Sequence, residues 1–173
     1  MIWKIVLYVC ILFLPAATLI SFFHEFGHVI MVLLLGGKVI QFKLIYFPFE
    51  WSFTNGYTAY TFGRLLLPFE EVLIAAAGSV FTLMIGIVFF IIFYRFRMHS
   101  FLETLFFMYC LGLGAESSVY AFFDLFILQS GDWYRVWSIS PTMCIVFMAM
   151  FTACAIYFIK SWKKIEDHYD IDD

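Results

Sequence analysis

The chain has 173 residues, 64% of them hydrophobic and only 13% charged, with 24 phenylalanines, a net charge of −3 and a mean hydropathy of +0.95. A soluble domain carries about 25% charged residues and shorter apolar runs, so a soluble enzyme is excluded and the class is a polytopic membrane protein with the lipid bilayer as its surroundings. The sequence shows no basic patch or stripe, which argues against a nucleic-acid partner. The four cysteines, Cys10, Cys110, Cys144 and Cys154, lie in apolar runs without paired spacing and read as small lipid-facing or core-facing residues.

The first apolar run, 2–35, exceeds the ~20 residues that cross the hydrocarbon, so it tilts, kinks or projects from one side. Lys4, the apolar run and Pro15-Ala16-Ala17 resemble a secretory signal, but apolar sequence continues beyond them. That continuity favours an uncleaved first span kinked near Pro15 and closed by Gly36-Gly37. Within this run lies His24-Glu25-Phe26-Gly27-His28. Residues four apart return to nearly the same face of a helix, so His24 and His28 can present two imidazole nitrogens to one metal ion, with Glu25 on the next face. This is H-E-x-x-H, the zinc-binding and general-base pattern of metalloproteases. Loose five-residue patterns arise by chance in soluble proteins, but the cost of polar groups inside a membrane removes most accidental instances.

Residues 38–62 change character, with β-branched and aromatic residues and with Pro48 and Asn55-Gly56 as punctuation. They predict two or three short strands with a turn at Asn55-Gly56. Two uses fit: an interfacial loop whose rings sit at headgroup depth, or a sheet whose open edge holds an unwound substrate. A second span, 65–94, starts well at Pro68 with Glu70-Glu71 behind it and contains the small run Ala75-Ala76-Ala77-Gly78-Ser79, which lets another helix approach closely. His99 falls in a polar connection and reads as an exposed loop residue. A third span, 101–128, carries Glu116 and Asp124. An ionisable group in a membrane helix costs several kcal/mol unless paired or wet, so Glu116 is either functional or hydrogen-bonded to a neighbouring helix. A polar break at 129–135 precedes the last span, 142–159, and a charged tail, 160–173, reads as a frayed, solvated end that includes His168.

Two histidines need a third protein ligand, and catalysis needs the fourth position open for water. If the spans alternate, the second half of the first span, the strand region and Gly131-Asp132 share one membrane side. Asp132 therefore ranks first as the third ligand, ahead of Glu116 and Asp124. In this arrangement Glu25 is the catalytic residue, His24, His28 and Asp132 hold Zn2+, and Glu25 moves the proton from water to the leaving amine.

The sequence resembles the site-2 protease family, zinc metalloproteases that cut substrates within the membrane. HEFGH at 24–28 matches the first family motif in full, and Gly36-Gly37-Lys38-Val39 is similar to the family's passage into a membrane-associated β-hairpin. Ala77-Gly78-Ser79-Val80-Phe81-Thr82 looks like the A-G-P-x-x-N motif, with Ser79 and Thr82 in place of proline and asparagine. Gly131-Asp132 falls where the family places an N-P-x-D-G type segment, which implies that Asp132 is the aspartate ligand. The asparagine and proline before it are absent, so the role of that asparagine has no carrier here.

The resemblance covers nearly the whole chain and is strongest to a short, divergent branch without PDZ or CBS domains. It implies one integral membrane domain over 1–173, all-α with about four transmembrane helices and a small β-hairpin or sheet after the first. It also implies a multi-pass protein of the cell membrane, with a membrane-anchored protein as substrate. Two rival functions remain in view: a non-catalytic scaffold or chaperone for client helices, and a metal or proton transporter using Glu116 and the histidines. With four spans, six basic residues (Lys4, Arg95, Arg97, Lys160, Lys163, Lys164) lie on the side of the termini and four (Lys38, Lys43, Arg64, Arg135) on the other. That margin favours cytoplasmic termini while the family resemblance favours the reverse, so orientation stays open.

Overall fold

The computed structural model describes residues 2–44, 56–96 and 120–169, with side chains over 18–44, 56–92 and 120–161. Helix α1 (Ile2–Leu34) runs unbroken across Pro15. It ends where Gly36 takes φ +79°, a left-handed conformation that a side chain disfavours. Gly37 N–H then donates to the Val32 carbonyl at 2.9 Å, satisfying one of the helix's last acceptors.

Strands β1 (Lys38–Lys43) and β2 (Tyr57–Thr61) follow and pair antiparallel, with Lys38 opposite Thr61 and Lys43 opposite Tyr57. The register shifts between Val39 and Gln41. The small sheet expected after the first helix is therefore present, and β2 starts directly after the expected turn at Asn55-Gly56. Asn55 itself lies outside the described residues.

Helix α2 (Pro68–Phe96) begins at the predicted proline, with Glu70 and Glu71 in its first turn. Glu70 accepts the Leu67 N–H at 2.9 Å and a two-pronged bond from Arg64 at 2.6 and 2.5 Å. This fixes the start of the helix by half of a capping box. The third expected span, including Glu116, lies mostly outside the described residues, as does His99. Its described end is helical from Tyr120 and passes into a π-helical turn, Phe123–Leu128, before the chain reverses at Gln129 with φ 49°.

The predicted polar break is in part a helix, α3 (Asp132–Ile139). Trp133 and Val136, three apart and so on one face, are both fully buried, whereas Tyr134 and Trp137 between and beyond them are exposed. Helix α4 (Pro141–Tyr169) starts one residue before the predicted span and continues through much of the tail as far as Tyr169. Pro68–Ile92 and Pro141–Ser161 are long and apolar enough to cross a membrane, while the part of α1 with described side chains, Thr18–Leu34, is shorter. Two such helices thus stand among the described residues, where the sequence predicted four.

Helix α2 is the central element, packed against both α1 and α3. Its Val72, Ala75 and Ala76 form one core with Trp133 and Val136 of α3 and Cys144, Phe151 and Phe158 of α4. Trp133 meets the edges of Phe147 and Phe151 at ring distances of 5.9 and 5.4 Å. On the other side α1 crosses α2 so closely that a Cβ on Gly27 would lie 2.5 Å from the Ala77 carbonyl oxygen. Small residues permit that approach, which brings the histidine face of α1 onto α2. Cys144 is buried in the core and Cys154 is half-buried, in keeping with packing roles; Cys10 and Cys110 fall outside the described side chains.

Candidate active site

One turn of helix separates His24 from His28, and both imidazoles are buried between α1 and α2. Their Nε2 atoms lie 3.3 and 3.1 Å from a single oxygen of Asp132, Oδ2. The three residues can present ligand atoms that all fall within 4.8 Å of one another. His28 Nδ1–H donates to the Ile74 carbonyl at 2.7 Å, so its Nε2 carries a lone pair when the ring is neutral. A lone pair facing a carboxylate oxygen at 3.1 Å is repulsive unless a proton or a cation lies between them. Burial pushes the Asp132 carboxyl up; with a proton on each facing Nε2, hydrogen bonding to His24 and His28 and their positive charge hold it below its ordinary range.

Backbone shape makes room for this convergence. A Cβ on Gly78 of α2 would lie 2.6 Å from both His24 Nε2 and His28 Nε2, so only glycine lets α2 pass behind the two ligand atoms. Tyr120 packs its ring edge-on to His24 at 5.1 Å. The motif that began at Ala77 thus serves the imidazoles through Gly78. Its Thr82 hydroxyl turns back to the Gly78 carbonyl at 2.9 Å and stays inside its own helix.

Glu25 is buried beside the pair and is held by the sheet. Thr58 of β2 directs its hydroxyl at Glu25 Oε2 at 2.8 Å and lies 3.2 Å from the Glu25 carbonyl oxygen. Gly56, just before β2, sits where a Cβ would be 2.9 Å from Glu25 Cγ. Sequence reasoning missed Thr58: it is one polar residue among alternating strand positions, and its partner is 33 residues away. A cavity of about 370 Å³ opens over these groups, lined by Glu25, His28 and Asp132 and by Thr58, Tyr60 and Arg135. Arg135 pairs with Glu71 at 3.0 Å, tying α3 to α2 at the edge of that cavity.

Asp132 arrives by a different route. Gly131 takes φ +91°, which turns the chain into α3 so that Asp132 is the first residue of the helix. Asp124, the third-ranked ligand candidate, is not one of the three residues (His24, His28 and Asp132) that could hold a metal together. It is 1% exposed, and its Oδ2 accepts the Trp133 N–H at 3.1 Å. The Trp133 indole N–H in turn donates to Ser79 Oγ at 3.1 Å, locking α3 to α2. The structure thus brings together His24, Glu25, His28 and Asp132 and turns Asp124 toward the start of α3.

Two imidazoles and a carboxylate are a donor set suited to a divalent transition metal, with a carboxylate beside it that can accept a proton. No functionally curated protein and no solved structure matches the chain significantly. A family model, Peptidase M50B-like, matches residues 1–170. With nearly the whole chain matched, and with His24 and His28 of HEFGH meeting Asp132, the chain belongs to the Peptidase M50B-like family and so to the site-2 protease group.

Proposed function

We propose that the protein is an intramembrane zinc endopeptidase that cuts a membrane-anchored protein substrate. The observation that carries this reading is the convergence of His24 and His28 Nε2 on Asp132 Oδ2, beside a cavity that Glu25, His28 and Asp132 line. Tetrahedral zinc with ligands at ~2.0–2.1 Å separates its ligand atoms by about 3.3 Å. The observed separations of 3.1 and 3.3 Å suit that ion. When bound by His24, His28 and Asp132, zinc supplies a water acidified toward pKa ~7 and polarises the scissile carbonyl.

The chain's own residues do the rest. Glu25 takes the water proton and returns it to the leaving amine. Thr58 occupies Glu25 Oε2, which leaves Oε1 to face the reacting atoms. The aromatic and polar cavity wall on β2 receives backbone that is unwound from a helix, whose freed N–H and C=O groups need partners in the absence of water. The reading includes a multi-pass protein of the cell membrane.

Elemental analysis of purified protein tests the metal site. We expect about one zinc per chain, lost in His24→Ala and Asp132→Asn. Equal zinc in all three proteins overturns the assignment. Glu25→Gln should retain zinc while cleavage of co-expressed single-span reporter proteins disappears, and cleavage that survives this change removes Glu25 as the base. A zinc-loaded protein that holds reporters without Glu25-dependent cleavage would instead be a scaffold.

A further inference from the structure

We propose that Asp124 is the positioning residue for the third metal ligand: it fixes the first turn of α3 and thereby aims Asp132 at the two histidines. This rests on the zinc reading above.

The observations come from one turn of chain. Asp124 is 1% exposed, and it closes the loop to α3 with both its side chain and its backbone. The carbonyl oxygen of Asp124 accepts the N–H groups of Gln129 and, at 3.3 Å, Ser130. Its carboxylate accepts the Trp133 N–H at 3.1 Å and draws a smaller stabilisation from the neighbouring backbone N–H of Asp132. Those two donors belong to the first turn of α3, which has no intrahelical acceptors for them. Gly131, at φ +91°, has no side chain of its own to offer, and a Cβ there would sit 2.5 and 2.6 Å from the two Asp124 carboxylate oxygens. The missing side chain leaves the space that the Asp124 carboxylate fills.

The consequence for the site is geometric. Asp132 occupies the first position of α3, so its side-chain direction follows the direction of that turn. Without the carboxylate beneath it, the buried Trp133 N–H loses its acceptor, the Asp132 N–H loses its support, and the turn relaxes. Trp133, anchored to Ser79, holds the helix as a body, while Asp124 holds the end that carries the ligand.

The test compares zinc affinity, by competition with a chromophoric chelator, and the visible spectrum of the Co2+-substituted protein. The proteins are the full-length chain, Asp124→Leu, Asp124→Asn and Asp124→Glu. Partners that orient metal ligands are worth 10–100-fold in metal affinity, and about that loss, with an altered Co2+ spectrum, is expected for Asp124→Leu. Asparagine serves helix starts as well as aspartate, so Asp124→Asn should stay within about threefold of wild type. Asp124→Glu keeps the charge but adds a methylene that the space beside Gly131 does not admit, and should bind more weakly than Asp124→Asn.

The opposite order, with glutamate near wild type and asparagine weak, shows charge or direct ligation and overturns the proposal. So does wild-type affinity in Asp124→Leu. If Asp124→Leu does not fold, the order of the asparagine and glutamate variants decides. Loss of zinc in Asp132→Asn with full affinity across the Asp124 series defeats the positioning role alone. A wild-type chain that binds neither Zn2+ nor Co2+ defeats the reading beneath it.

Discussion

The two halves of the proposed metal site are built in opposite ways. On α1, the two proposed ligands and the proposed base lie within five residues, and the helix period alone puts them on adjoining faces. On α3, the single proposed ligand arrives 104 residues after His28 and stands beside a positive-φ glycine, a buried carboxylate and a tryptophan anchored to another helix. The comparison teaches where the site is vulnerable. The α1 half survives most changes outside HEFGH and its packing face, whereas the α3 half fails when any of several distant supports is lost.

The strongest challenge to that contrast is Gly78→Ala, because Gly78 touches the α1 half from behind. Its Cβ would lie 2.6 Å from both histidine Nε2 atoms, so a loss of zinc affinity of about 100-fold is expected. Chelator competition measures it, and near-normal affinity would mean that α2 has room to withdraw.

Next in size is Gly131→Ala, directed at the other half. A side chain at φ +91° costs on the order of 1–3 kcal/mol, and here it also displaces the Asp124 carboxylate. Thermal unfolding in detergent should show lower stability, and zinc affinity should fall while His24 and His28 stay in place. If stability drops and zinc affinity does not, Asp132 is less dependent on its turn than the contrast requires.

A smaller effect sharpens the contrast by separating the base from the ligands. Thr58→Val removes the hydroxyl that holds Glu25 Oε2 and should lower reporter cleavage about tenfold, the equivalent of a lost hydrogen bond of ~1.4 kcal/mol. Zinc content should not change. Thr58→Ser should restore cleavage, and failure of that rescue would assign the loss to packing of the strand. The smallest expected effect is that of Arg64→Ala, which breaks an exposed bidentate pair with Glu70 at the start of α2, remote from both halves. Zinc content and cleavage should match wild type, and a loss of either would extend the site's supports beyond the core.

Legibility in the sequence followed the same division. HEFGH could be read at once because its spacing is local and its polarity is costly in an apolar run. Pro68 and Glu70-Glu71 announced α2 for similar reasons, since the chemistry of a helix start is confined to its first turn. Asp132 could be ranked but not placed, and α3 was hidden. Eight residues containing Asp132, Arg135 and Ser138 look like a break until Trp133 and Val136 are seen to share a buried face. Ser79, which looked like a departure from a motif, proved to be the acceptor for the Trp133 indole. The carboxylate of Asp124 looked like a spare ligand because a list of residues does not say which way an acid points.

By itself, then, the sequence determined that this is an apolar, largely helical chain with a small sheet after its first helix and with His24, Glu25 and His28 on adjoining faces. Those properties follow from composition and from the helix period, which act over a few residues. Only the tertiary structure decided that Gly78 clears the space behind the histidines, that Thr58 holds Glu25 and that Asp124 serves α3. Each of those contacts joins residues that are far apart in the chain or separated by a reversal. Its existence depends on how closely backbones approach and which way a turn points, and neither is written in any local run of residues.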